Sequence, residues 1–231
     1  MFNIDKDRLY VAVYPPEHPS LGEFHWALVV GPKHERYDTD GLRLHIIRLG
    51  DQSGSDDIDA SSSTSVDTTS GVDSSPCHTY DQSLWSSSSK WAFQCETVAM
   101  HLSSLPLARL VIGKVKDRER LIQVIANVPI PDATTDCSNT DNGTSSPSSC
   151  SSSSPQPSYP DKLWIQHAIA ALEADKKRCL STSFTTWDVI EQTASSYVSG
   201  KRNQKRYDFF GGWNRSKPPT FDMLDDQELI E

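Results

Sequence analysis

Two imidazoles on neighbouring strand-like runs are the feature of this sequence best suited to chemistry. His25 opens the run His25-Trp26-Ala27-Leu28-Val29-Val30-Gly31, and His45 lies within residues 42–48 (LRLHIIR), after a turn. An imidazole at a strand edge serves as a base toward a thiol when a cysteine reaches it from a helix N-terminus, where the dipole lowers the thiol pKa. The same two histidines also read as half-buried strand residues satisfied by backbone groups.

The five cysteines supply no obvious partner. Cys77, Cys137 and Cys150 fall in Ser-rich stretches, Cys95 in a strand-like run, and Cys179 after a helical one. There is no CxxC pair and the count is odd, which argues against a structural zinc site and against a disulfide framework. The sequence also lacks HExxH, GxSxG, a Walker loop and GxGxxG, so no metal and no cofactor is expected. Trp26, Trp91, Trp164, Trp187 and Trp213 read first as core or rim aromatics. Trp26 and Trp164 are the two placed to line an apolar pocket near His25 for a small organic ligand.

The elements that must position these residues follow from periodicity. Residues 8–14 (RLYVAVY) and 24–30 (FHWALVV) are β-rich runs that end in the turn signals Pro15-Pro16 and Gly31-Pro32. Residues 42–48, 91–98 (WAFQCETV) and 107–115 (LARLVIGKV) make three more strands. The period then changes. Residues 117–127 set Leu121, Ile122 and Ile125 at helical spacing, residues 163–172 put Trp164, Ile165, Ala168, Ile169 and Leu172 on one stripe, and Thr186 caps a helix carrying Trp187, Ile190, Ala194 and Tyr197. Strands first and helices later predict an α+β domain with a mostly antiparallel, five-stranded sheet and about three helices.

Composition bounds the partners. The chain has 231 residues and a formal charge of −9. Residues 51–90 and 134–158 carry −8 of that charge and hold 14 and 10 Ser respectively, so the acidity belongs to these stretches and not to a binding surface. They bury too little apolar surface to offset ordering entropy, and read as disordered inserts in a single domain spanning 1–231. Residues 222–231 read as an acidic tail. The formal charge of −9 argues against non-specific phosphate binding, so no nucleic acid is expected as a partner. No window reaches the roughly 18 apolar residues of a membrane span, and Met1 to Tyr10 lacks the order of a signal peptide. The expected location is cytoplasmic, with the basic run KRNQKR (201–206) allowing a nuclear alternative.

The segments YVAVY, HWALVVGPK, LARLVIGKV, VPI, LWIQHAIAAL and PPTFDM, in that order, resemble a family of uncharacterised fungal proteins over nearly all the predicted ordered chain. More distantly, an HWALVVG strand followed by a strand with His resembles the permuted papain-like domains of the lecithin:retinol acyltransferase and NlpC types. There the His strands precede a helix that opens with the catalytic Cys. That resemblance implies a Cys about three residues before the helix Trp, and the position is Asp161 in PDKLW. Asp161 cannot be a thiolate. Ser158 and Asp161 also fit an S-x-x-[DE] capping box, and an acidic first turn suits the helix dipole.

His25, His45 and Asp161 are therefore the candidate site. The leading expectation is a non-catalytic or repurposed papain-like domain that binds a small molecule or protein partner, with the resemblance suggesting an accessory role in fungal specialised metabolism. A cysteine-dependent acyltransferase or hydrolase using Cys150, Cys179 or Cys95 is the second reading. A scaffold whose Ser-rich inserts are phosphorylated is the third.

Overall fold

The computed structural model describes residues 6–16, 24–35, 39–49, 91–101, 106–131, 160–175, 178–208 and 217–230. Both Ser-rich stretches lie outside these residues, as do Ser158, Cys77, Cys137, Cys150 and Trp213.

The five expected strands form as β1 (Asp7–Tyr14), β2 (His25–Pro32), β3 (Asp40–Arg48), β4 (Trp91–Ala99) and β5 (Ala108–Val115). The helices are α1 (Arg118–Ala126), α2 (Pro160–Ala174) and α3 (Trp187–Asn203). Asp117 caps α1 by accepting the Arg120 N–H at 3.0 Å. Thr186 holds the N-cap position of α3 without a side-chain hydrogen bond. The sheet is larger than five strands. Three short ones, β6 (Leu180–Ser183), β7 (Thr220–Asp222) and β8 (Gln227–Ile230), bring it to eight. Its order is β4-β3-β2-β1-β5-β7-β8, with β6 also paired to β5, and every pairing is antiparallel except β5 with β7. The residues read as an acidic tail thus take in the last residue of β7 and all of β8, and Asp222 is buried.

β1 shows why the centre of the sheet is dry on both faces. Leu9, Val11 and Val13 point into the main core, while Tyr10, Ala12 and Tyr14 join a second cluster with Ala27, Val29, Met100 and Val111. Such a strand reads as a continuous apolar run rather than an alternating one. α2 packs over β2 and β3, α3 over β5, and α1 against α2. Their apolar stripes, from Leu121 to Val198, complete the main core.

One departure from regular pairing positions the site. β2 pairs with β1 along its whole length, back to Tyr14 opposite His25. Its ladder with β3 stops at Leu28 opposite Leu44, although β3 runs on to Arg48 beside β4. Below that point β2 and β3 part company. The N-terminus of α2 supplies what the missing ladder would have given.

Candidate functional site

Asp161, in the first turn of α2, reaches the β2 backbone. Its Oδ2 accepts the Trp26 N–H at 3.0 Å, and its Oδ1 accepts the Lys162 N–H at 2.8 Å. A buried strand N–H without a ladder partner must find another acceptor, and this carboxylate is it. The same Oδ2 lies 3.1 Å from His25 Nδ1. A carboxylate only accepts, so His25 donates from Nδ1.

The other ring nitrogen is also engaged. His25 Nε2 lies 3.0 Å from Nδ1 of His45, with the rings 5.3 Å apart and steeply inclined. One proton occupies that contact, on whichever ring it resides. His45 Nε2 then lies 3.1 Å from Oε1 of Glu96, at ion-pair distance but without the alignment of a hydrogen bond. Glu96 accepts from Arg43 Nε at 2.6 Å, across the β3–β4 pair. The Arg43 guanidinium sits 5.2 Å from the centroid of the Tyr14 ring, which in turn lies 6.1 Å from the His25 ring. Asp161, His25, His45, Glu96, Arg43 and Tyr14 thus form one connected polar network.

Burial sets its electrostatics. His25, His45 and Asp161 are 8%, 3% and 5% exposed. Desolvation, then the positive charge of Arg43 and the neighbouring His25, pushes His45 down to about 3, so its ring is neutral at physiological pH. Burial also raises the Tyr14 hydroxyl, against the pull of Arg43.

The structure brings His25, His45 and Asp161 into direct contact. Asp161 uses its carboxylate on β2 and His25 as well as on its own first turn, and the Ser158 half of the expected capping box lies outside the described residues. Trp26 and Trp164 sit in the core: Trp26 against Trp187 at 5.5 Å, and Trp164 fully buried against Phe93 at 5.7 Å with its Nε1 donating to Val128 O at 3.4 Å. Their indoles are consumed by packing. Within residues 201–206, Lys201 pairs with Glu228 at 2.6 Å and Arg206 donates to Lys217 O at 2.8 Å, both buried, and the Arg202 guanidinium lies 5.5 Å from the centroid of the Phe24 ring. His167 is exposed on α2.

Neither described cysteine joins the network. Cys95 is disulfide-bonded and holds no free thiol. The Cys179 N–H donates to Asp175 Oδ2, just beyond the C-terminal end of α2. Fourteen residues at about 1.5 Å rise put Asp175 about 20 Å from Asp161. Burial and the Asp175 carboxylate push the Cys179 thiol up to about 11. Cys150 lies outside the described residues.

A family model matches residues 6–59 and 59–230. The chain belongs to DUF6914, a family of unknown function. No curated protein and no solved structure matches it. Within this DUF6914 chain, sequence reasoning missed Tyr14, Arg43 and Glu96. The available signal was opposite charge on two strand-like runs, but pairing Arg43 with Glu96 needs a register across 53 residues that spacing does not fix. Among the described residues, no group of His, Cys, Asp and Glu is arranged to hold a metal ion, and no helix is long and apolar enough to cross a membrane.

Proposed function

We propose that this DUF6914 chain is a non-catalytic, repurposed papain-like domain that binds a small molecule or protein partner. The observation that carries the reading is the closure of His25. Its Nδ1 is given to Asp161 and its Nε2 to His45, so no ring nitrogen remains to take a proton from a nucleophile. The resemblance to permuted papain-like domains implies a Cys at the position where Asp161 stands. A carboxylate there turns a base–nucleophile pair into a buried hydrogen-bonded pair that ties α2 to β2. The accessory role in fungal specialised metabolism rests on the sequence resemblance alone.

The cysteine-dependent alternative is weakened by chemistry at each described cysteine. The Cys179 thiol stays protonated at physiological pH, and thiolate is the nucleophile. Cys95 is oxidised. The deciding experiment is single-turnover acylation by a fluorescent p-nitrophenyl ester. Wild type is expected to show no labelling that any one Cys→Ser substitution removes. The Asp161→Cys variant is expected to gain a labelled thiol, and that gain to fall with an added His25→Gln. Labelling of wild type that vanishes in both one Cys→Ser variant and His25→Gln overturns the proposal.

A further inference from the structure

A second concave region shares no residue with the histidine network. It is a groove of about 580 Å³ between the outward face of α3 and the β7–β8 pair, a volume within the range of small-molecule sites. Tyr197 and Phe221 are its aromatic lining residues, with ring centroids 5.8 Å apart, planes inclined by 50° and both rings only partly buried. The exposed amides of Gln192 and Gln204 and the hydroxyl of Ser196 stand on its rim.

Its two charges cancel on each other. Lys201 Nζ lies 2.6 Å from Glu228 Oε1 and 5.4 Å from the centroid of the Tyr197 ring. Glu228 also accepts from the Tyr197 hydroxyl, which bonds Ile230 O at 3.2 Å as well. An anion would have to displace Glu228 from Lys201, and a cation would have to displace Lys201 from Glu228. The groove therefore favours an uncharged occupant.

Gly200 supplies the independent observation. It lies inside the 17-residue α3, where glycine weakens a helix relative to alanine. A Cβ built on it meets nothing within 4 Å, and its φ is not positive, so neither packing nor backbone conformation calls for glycine. What the missing side chain does leave is open space over the helix backbone inside the groove.

We infer that this groove binds an uncharged, planar aromatic molecule bearing hydrogen-bonding substituents, seated on Tyr197 and Phe221 against Gly200, with the Gln and Ser side chains addressing its edge. The inference rests on the binding-domain reading above and names its site and ligand class. Ring–ring contact with Tyr197 and Phe221, and donors and acceptors at the rim, match that chemistry.

The test is saturation-transfer NMR with 4-hydroxybenzamide as the uncharged probe, and 4-hydroxybenzoate and benzylamine as charged controls, at millimolar concentration. Wild type is expected to bind the amide and neither control. Gly200→Leu, whose side chain enters open space, is expected to weaken the amide about tenfold or more. Gly200→Ala is expected to raise Tm while weakening the amide to a lesser degree. Equal binding by wild type and Gly200→Leu, binding of a charged control as tight as the amide, or no transfer to the amide in wild type each overturns the inference. Thiol acylation in the earlier experiment would overturn the non-catalytic reading without altering these results, so the two failures are read separately.

Discussion

The two ends of α2 each carry an aspartate, and they solve opposite problems. At the N-terminus Asp161 meets the positive end of the helix dipole and accepts backbone N–H donors from α2 and β2, so its carboxyl group is held by fixed groups. At the C-terminus the dipole opposes Asp175, and a guanidinium does the work instead. Arg120 Nε reaches both Asp175 oxygens at 2.9 and 3.0 Å, and its hydrogen bond is the largest influence holding that carboxyl down to about 2. The first arrangement is buried and tied to a strand through a titratable ring. The second faces solvent on one side, Arg120 being 38% exposed. A carboxylate facing a histidine is therefore not enough to mark a catalytic pair. What matters is whether the ring keeps a free nitrogen, and His25 does not.

The largest expected effect comes from removing Asp161. Asp161→Ala leaves the Trp26 N–H and the His25 Nδ1–H buried without an acceptor, and breaking a buried pair by deleting one partner costs about 3 kcal/mol. For a chain of this size that is a fall in Tm of roughly 6–12 °C. Asp161→Asn keeps one oxygen for a backbone donor and is expected to lose less. Thermal denaturation at neutral pH checks both, and an unchanged Tm in Asp161→Ala would break the contrast between the two helix ends.

The next effect is a pH dependence at the histidine end, in the window between about 3 and 6.5. His45 is held at about 3 in the folded state against 6.5 ordinarily. Between those values the unfolded chain binds a proton that the folded chain does not, so stability falls as pH drops from about 6.5 toward 3. The charged and titratable groups facing His45 are His25, Arg43, Glu96 and Asp161, and the Gln94 side chain opposes the shift. His45→Gln removes this one proton, and is expected to flatten the slope of unfolding free energy by up to about 1.4 kcal/mol per pH unit in that window. Urea titrations at several pH values measure it. Parallel slopes in wild type and His45→Gln would show that His45 titrates equally in both states.

How far the sequence revealed this arrangement depends on contact range. The five longer strands and three helices were legible because each holds enough apolar residues to express a period, as in residues 8–14 and the Trp164 to Leu172 stripe. β6, β7 and β8 have four, three and four residues, too few for any period, and exist through pairing with distant chain. His25 and His45 were picked out by type and local setting, and Asp161 by the resemblance to permuted papain-like domains. Their union was not legible, because His25 meets Asp161 across 136 residues and Asp161 alone satisfied a local capping pattern. Trp26 and Trp164 show the converse: proximity to a candidate histidine says nothing about whether an indole is left open or packed.

At the other end of α2 the effect is smaller and lies at lower pH, with the same sign. Arg120→Ala is expected to lower Tm by less than Asp161→Ala, since the guanidinium is solvent-screened. A carboxyl depressed in the folded state stabilises above its unfolded pKa, so this contribution is present at neutral pH. It is lost as pH falls from about 4 through about 2. Wild type and Arg120→Ala should therefore differ at pH 7 and converge near pH 2, where thermal scans check them.

The smallest structural effect, and the sharpest chemical one, concerns Cys179. Its side chain is fully buried in the main core, and burial together with the Asp175 carboxylate raises its thiol to about 11. At pH 8 almost none of it is thiolate, and access is closed as well. Iodoacetamide is therefore expected to leave Cys179 unmodified in the folded chain and to alkylate it only in denaturant, as mass spectrometry of the digested protein reads directly. In Arg120→Ala the carboxylate loses its cation and presses harder on the thiol, so alkylation at pH 8 should not increase while the fold holds. Rapid alkylation of Cys179 in the native state would mean that this end of α2 opens readily. The functional contrast would then reverse, with the exposed thiol beside Asp175 and not the closed histidine pair as the reactive end of the helix.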